Sequence, residues 1–434
     1  MKYYSTNKQA PLASLQDAVV KGLASDRGLY MPEKIKQFPD SFFEKMPEMS
    51  FQEISYNVAN AFFGEDIEAD TLKTIVYDTL NFDTPVVKVK DNIYSLELFH
   101  GPTLAFKDVG ARFMARMLGY FIKKEGITNV NVLVATSGDT GSAVANGFLG
   151  VPGIHVFVLY PKGKVSPIQE CQFTTLGKNI TALEIDGTFD DCQALVKSAF
   201  MDEELNSKLQ LTSANSINVA RFLPQAFYYF HAYAQLTRAA KAENIVFCVP
   251  SGNFGNITAG LFGKRMGLPV KRFIAANNKN DIFLEYLKTG KYSPRPSVAT
   301  IANAMDVGDP SNFARILDLY SNEYNAICKD ISGYRYLDDE IRTTLKTCYE
   351  ETGYLLDPHG ACGYQALVDG LQTDETGVFL ETAHPAKFLE TVESIIKEKV
   401  EIPQKLQAFM NGTKQSIELS KEFDEFRNFL MKNK

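Results

Sequence analysis

The chain has 434 residues, of which 45% are hydrophobic and 22% charged, and its net charge is −7. That length calls for two or three domains with ordinary globular cores. The acidic balance and the lack of any Lys/Arg block argue against nucleic acid or an anionic membrane as a partner.

Residues 1–20 lack the apolar centre of a signal peptide. No apolar run approaches the ~20 residues needed to span a bilayer. The six cysteines form no Cys-x-x-Cys pair. They are expected to be reduced, buried thiols in a cytoplasmic protein, with no structural metal.

In chain order, residues 1–95 carry helix patterns at 15–22 and 51–63 with little strand signal, and read as an N-terminal helical domain. Next comes Gly101-Pro102-Thr103-Leu104-Ala105-Phe106-Lys107-Asp108, just before a helix-like stretch over 111–121. From about residue 129, β-branched runs alternate with helical segments. Strands are expected at 131–135, 154–159, 181–185, 245–249, 272–276 and 377–380, with a long helix over 219–240. This rhythm predicts an α/β fold with parallel sheets and helices on both faces. Residues 96–395 form that region, with a smaller, mobile subdomain over about 108–210. Residues 396–434 read as a helical C-terminal segment that docks through Phe423, Phe426, Phe429 and Leu430.

The segments after the strands carry the chemistry. Strand 131–135 leads into Thr136-Ser137-Gly138-Asp139-Thr140-Gly141. A run near Leu211 leads into Asn215-Ser216-Ile217-Asn218. Strand 245–249 leads into Ser251-Gly252-Asn253-Phe254-Gly255-Asn256, and strand 377–380 into Glu381-Thr382-Ala383-His384. Ligands of open α/β sheets bind beyond the carboxyl ends of the strands, so the four loops are expected on one edge. Such residues are also common helix N-caps. A cap needs only one of them, and each loop offers several. Hydroxyls, amides and helix N-termini together favour an anion. Neither Gly-x-Gly-x-x-Gly nor a Walker A motif occurs, which points away from nucleotides and towards a phosphorylated cofactor or substrate.

Lys107 stands among Leu104, Phe106 and Val109. An apolar setting lets an amine lose its proton, as imine formation requires. Arg221 follows Ser216 by five residues, a little over one helical turn. Its guanidinium can reach back to a phosphate held at Asn215-Ser216.

The Gly-Pro-Thr-x-x-Phe-Lys-Asp stretch resembles the cofactor-lysine motif of the threonine synthases. These belong to the pyridoxal-phosphate superfamily of tryptophan synthase β. Tyr4-Ser5-Thr6, Gly28-Leu29-Tyr30-Met31-Pro32, the four loops and Thr382-Ala383-His384-Pro385-Ala386-Lys387-Phe388 extend the likeness over nearly the whole chain. Asn7-Lys8 stand where many members have Arg-Gly, and Arg27 where many have Gly.

The resemblance implies two open sheets of the tryptophan synthase β type and pyridoxal phosphate as cofactor. It implies O-phospho-L-homoserine as substrate, converted to L-threonine and phosphate by a monomer or homodimer. Lys107 would hold the cofactor and serve as acid and base. Gly252, Asn253, Phe254 and Gly255 would cradle its phosphate, and Thr382 would meet its ring nitrogen. Thr136, Ser137 and Thr140 would take the substrate carboxylate. Asp139, which would repel that group, would turn to a cation or to backbone N–H groups. Asn215, Ser216, Arg221 and Asn256 would take the substrate phosphate, and His384 would support the loop around it. Another lyase of the superfamily, such as a threonine dehydratase, and a non-catalytic binding protein stay open as alternatives. The long N-terminal region and Asn215-Ser216…Arg221 count against the first, and intact Lys107 and phosphate loops against the second.

Overall fold

The computed structural model describes residues 1–126 and 129–433, so the last residue of the predicted C-terminal segment lies outside the described residues. The strands run in chain order as β1 (Tyr3–Ser5), β2 (Tyr30–Pro32), β3 (Val86–Lys90), β4 (Ile93–Glu97), β5 (Val130–Ala135), β6 (Ile154–Pro161), β7 (Ile180–Asp186), β8 (Gln210–Ser213), β9 (Ile245–Pro250), β10 (Arg272–Asn277), β11 (Ile331–Arg335), β12 (Thr376–Glu381) and β13 (Ile417–Ser420). Apart from the β1–β2 ribbon they form two sheets. The larger has the order β11-β10-β9-β12-β4-β3 and the smaller β13-β7-β6-β5-β8. All pairings are parallel in the smaller sheet. In the larger one only the edge pair β3–β4 is antiparallel.

Burial explains this order. β5 and β9 are buried at every position, as central strands covered by helices on both faces must be. The edge strand β3 instead exposes Lys88 and Lys90, charges that discourage pairing with another chain.

All six expected strands are present, each a residue or two longer than its apolar run. The region read as helical contributes more strand than expected: β3 and β4 pair into the larger sheet. The Val-Val-Lys-Val-Lys alternation of β3 is short, which hid it. The C-terminal segment likewise is not all helix. β13 joins the smaller sheet between the helices Gln404–Met410 and Phe423–Lys432, and Phe426 and Leu430 are buried beneath it. The long helix expected over 219–240 is broken into Val219–Phe222, a 3₁₀ turn Leu223–Gln225 and Ala226–Arg238. Pro224 causes the break, because it lacks an N–H and crowds the preceding turn.

Lys8 and Arg27, two of the positions that depart from the family pattern, both adopt left-handed backbone, with φ of 58° and 66°. Glycine tolerates that region and other residues resist it. Here the cost is taken up by local anchors, since Asp26 accepts from the backbone N–H of Gln9, Ala10 and Gly28.

The two sheets meet at their carboxyl edges. Asn253, after β9, donates to Ser216, after β8, at 2.6 Å. Lys387, after β12, pairs with Asp139, after β5, at 2.6 Å. All four polar loops therefore line one cleft.

Candidate active site

Lys107 opens the helix Lys107–Glu125. The turn before it needs Leu104 in left-handed backbone, with φ of 56°. Asp108 braces that turn by accepting from Thr103 N–H at 2.9 Å and from Thr103 Oγ1 at 2.6 Å. Phe106 N–H donates to Thr382 O at 2.9 Å, which ties the lysine turn to the loop after β12. Burial lowers the Lys107 amine to about 8; Asp139 opposes the shift, and Arg221 and Lys387 add to it. A free-base fraction near neutral pH is what a nucleophilic or proton-moving amine requires.

The loop after β9 is shaped to face an anion. Phe254 has left-handed backbone, φ 62°, and the helix Gly255–Arg265 that follows has no side-chain cap. The N–H groups of Gly255 and Asn256 at its start are thus left to a ligand, while that of Ile257 goes to Asn256 Oδ1. Gly252 is required by close approach, since a Cβ there would lie 2.6 Å from Ala304 O. Asn253 fastens the loop: its Oδ1 accepts from Ser311 N–H at 2.7 Å. An uncapped helix start, a glycine turn and a lysine that readily gives up its proton fit a phosphorylated aldehyde cofactor.

Arg221 is a second feature that asks for an anion. It is 3% exposed. Its Nη1 donates to Ala214 O at 2.8 Å, Nε has no partner, and no carboxylate pairs with it among the described residues. Burial lowers it to about 10, with Asp108 opposing, so it stays charged at neutral pH. A buried guanidinium without an acid partner is costly unless a ligand completes it.

Three family models match the chain. Residues 2–80 match "Threonine synthase N terminus", 78–380 match "Pyridoxal-phosphate dependent enzyme", and 360–430 match "Threonine synthase, C-terminal". The threonine synthase of Haemophilus influenzae is 45% identical over 433 residues, covering 100% of both chains. The crystal structure of threonine synthase from Escherichia coli superposes with a TM-score of 0.94 at 44% identity over 100% of both chains. The PLP-bound threonine synthase from Brucella melitensis does so with a TM-score of 0.93 at 36% identity, covering 99% of this chain and 98% of that one. The chain belongs to the threonine synthase family. Its cofactor is pyridoxal phosphate.

Within this threonine synthase framework the other expected residues divide into two groups. Ser137 and Thr140 stay half-buried in the cleft loop, as do Asn215 and Ser216. Thr382 is buried, 6% exposed. Thr136 and Asn256 are committed inside their own loops. Thr136 Oγ1 accepts from Gly138 and Gly141 N–H at 2.9 and 2.7 Å. Asn256 donates to Pro250 O at 2.9 Å and accepts from Ile257 N–H at 2.9 Å. Both shape a turn: the Thr136 hydroxyl is fully engaged with its own loop, whereas the Asn256 amide keeps its second N–H. His384 caps the following turn by accepting from Ala386 N–H at 3.1 Å, and burial lowers its imidazole to about 4.

Asp139 meets a cation, which is Lys387. The ammonium lies 2.6 Å from its carboxylate and also donates to Thr103 O at 2.8 Å. Gln169 adds a donor to Asp139 at 2.8 Å. Burial alone would raise the Asp139 carboxyl; Lys387 and Lys107 outweigh it and hold it well below the usual carboxylate range. Lys387 lies in the motif after β12, where nothing local in the sequence announces its partner Asp139. Arg315 has no sequence signal at all. Arg315 is fully buried and donates to Ser216 O at 3.2 Å, to Asn312 Oδ1 at 2.7 Å and to Tyr30 O at 3.1 Å. It fixes the Asn215–Asn218 loop from behind and is satisfied by carbonyl and amide oxygens, unlike Arg221.

Proposed function

We propose that the chain is a carbon–oxygen lyase acting on phosphate, which releases phosphate from O-phospho-L-homoserine and adds water to give L-threonine. The observation that carries the reading is Arg221: a buried cation with no acid partner, in a cleft whose glycine turn is already suited to the cofactor's own phosphate. Two anion sites fit a phosphorylated cofactor together with a phosphorylated substrate.

Bound pyridoxal phosphate supplies an electron sink for charge developing on the substrate carbons. Lys107 would hold it covalently, the turn of Gly252, Asn253, Phe254 and Gly255 its phosphate, and Thr382 its ring nitrogen. With an amine lowered to about 8, Lys107 takes protons from substrate Cα and Cβ and returns one to Cγ, which becomes the methyl group as phosphate leaves, and one to Cα after water has added its hydroxyl at Cβ. A single amine over one face of the substrate can serve each transfer. Ser137, Thr140 and backbone N–H groups of their loop hold the substrate carboxylate. Thr136 sets the shape of that loop. The ion pair with Lys387 keeps the Asp139 charge from repelling the carboxylate. Arg221, with Asn215 and Ser216, holds the leaving phosphate and stabilises it as the Cγ–O bond breaks. The smaller sheet and the loop Thr136–Gly141 close over the substrate and exclude water from the wrong step. Among the described residues no helix is long and apolar enough to cross a membrane.

Arg221→Ala tests the reading. It is expected to weaken the transition-state interaction with O-phospho-L-homoserine by about 2–4 kcal/mol, the cost of removing one partner of a buried charged pair. Steady-state kinetics measure this as a fall in kcat/KM. Binding of norvaline, which lacks the phosphate, should change little. Intact kcat/KM in the variant would place the phosphate elsewhere.

A further inference from the structure

Behind Thr382 lies a buried set of ionisable groups that the chemistry above leaves unused. Asp357 caps the helix Pro358–Gly370, its Oδ1 accepting from His359 N–H at 2.7 Å. The same oxygen lies 2.5 Å from His359 Nδ1. His359 Nε2 accepts from Ala304 N–H at 3.1 Å, so the ring carries its proton on Nδ1 and is neutral. Glu381, the last residue of β12, accepts from Asp357 N–H through Oε1 at 2.5 Å. Both carboxyl side chains are fully buried, and Asp357 Oδ2 and Glu381 Oε2 have no hydrogen-bond donor among the described residues.

Two carboxyl groups thus meet at one helix N-terminus, and Asp357 alone binds the imidazole. Asp357 takes both side-on donors, the His359 N–H and the ring N–H. Tyr354 points its hydroxyl at Ser95 and Glu97, at 2.8 and 2.9 Å. No cation pairs with Glu381 among the described residues, and a second buried anion beside the first would go unbalanced. A proton on one of the two carboxyls removes that imbalance.

We propose that Glu381 is held as a neutral carboxylic acid donating to Asp357, and that Glu381, Asp357 and His359 form a positioning unit for the cofactor site. This rests on the assignment of Thr382 and Gly252 to the cofactor made above. Thr382 follows Glu381 directly, and its strand end is fixed by Leu98 N–H on Glu381 O at 3.0 Å and Phe106 N–H on Thr382 O at 2.9 Å. At its far end the unit holds Ala304, whose carbonyl packs against Gly252. One hydrogen-bonded chain therefore runs from behind the ring-nitrogen residue to the wall of the phosphate turn. Gly360 keeps room for it, since a Cβ there would lie 1.6 Å from Glu381 Oε2. Burial first, then Asp357 and Glu97, hold the Glu381 carboxyl well above its ordinary range.

Infrared difference spectra between the holo-protein and Glu381→Gln test the protonation directly. A protonated-carboxyl C=O stretch is expected in the wild type, lost in the variant, and unmoved from mildly acidic to mildly alkaline buffer. Glu381→Gln keeps a donor and an acceptor, so cofactor affinity and kcat should stay within about threefold. Glu381→Leu leaves Asp357 N–H and Oδ2 unpaired and should weaken cofactor binding about tenfold or more. Should that variant not fold, Asp357→Asn serves instead: it takes away the carboxylate that accepts the Glu381 proton, so the C=O band is expected to shift from its wild-type position. Absence of the band from the wild type overturns the proposal, as does a Gln variant that binds cofactor no better than the Leu variant. A band with unchanged affinity in Glu381→Leu overturns the positioning role. Cofactor binding indifferent to Thr382→Ala as well would put the fault in the site assignment on which the proposal rests.

Discussion

Lys107→Ala is expected to lower turnover by more than about 10⁴-fold, the upper range for a single group that moves protons. Among the described residues no other amine is placed to replace it. The other ammonium in the cleft, Lys387, is locked against Asp139 at 2.6 Å and Thr103 O at 2.8 Å, and no histidine takes its place: His384 is occupied as a cap. The variant should also lose the visible absorbance of covalently held cofactor while keeping its fold, since the helix Lys107–Glu125 does not depend on the side chain of its first residue. Phosphate release at wild-type rate, with that absorbance retained, would show that another amine does the work.

Lys387→Met is expected to destabilise the folded protein by about 3–5 kcal/mol, because it strands a buried carboxylate. The side chains of Lys387 and Asp139 are 0% and 3% exposed, so solvent cannot take over. The sign follows from the Asp139 carboxyl being depressed in the folded state. In the wild type its stabilisation is fully present above the unfolded value of about 3.9. It is lost only as pH falls through the much lower folded value. Without Lys387, burial dominates and Asp139 takes up a proton more readily. The variant's deficit should therefore be largest at neutral pH and shrink on acidification. Denaturant unfolding as a function of pH measures it, and the double variant Asp139→Asn/Lys387→Met should recover much of the loss. A deficit of the same size in the double variant would mean that the ion pair is not its source.

The residues most legible in the sequence were those whose role depends on local chain. The lysine turn, the glycine turn and the strand–loop–helix order each announce themselves within about ten residues, because turn geometry and strand burial are local demands. Asp139 is an intermediate case: its charge called for a cation, and only the fold shows that the cation is Lys387, from a loop of the other sheet. Thr136 and Asn256 are ambiguous for a related reason. A hydroxyl or amide in a polar loop serves a ligand or its own turn equally well by sequence, and here both close on their own backbone. Arg315 left no local signal, since its partners Tyr30, Ser216 and Asn312 come from three distant segments. The strands β3 and β13 lie at sheet edges, where a single buried face leaves too weak a pattern to separate from loop. The Glu381–Asp357–His359 group is hidden the same way, because neutralising a buried carboxyl depends on which acid the fold places beside it.

The most direct measurement of the reaction supplies the pyridoxal-phosphate-loaded protein with O-phospho-L-homoserine and quantifies both products in one mixture. Phosphate and L-threonine are expected in equal amounts, with turnover abolished by Lys107→Ala. Phosphate without L-threonine, or a 2-oxo acid in its place, would contradict the assignment.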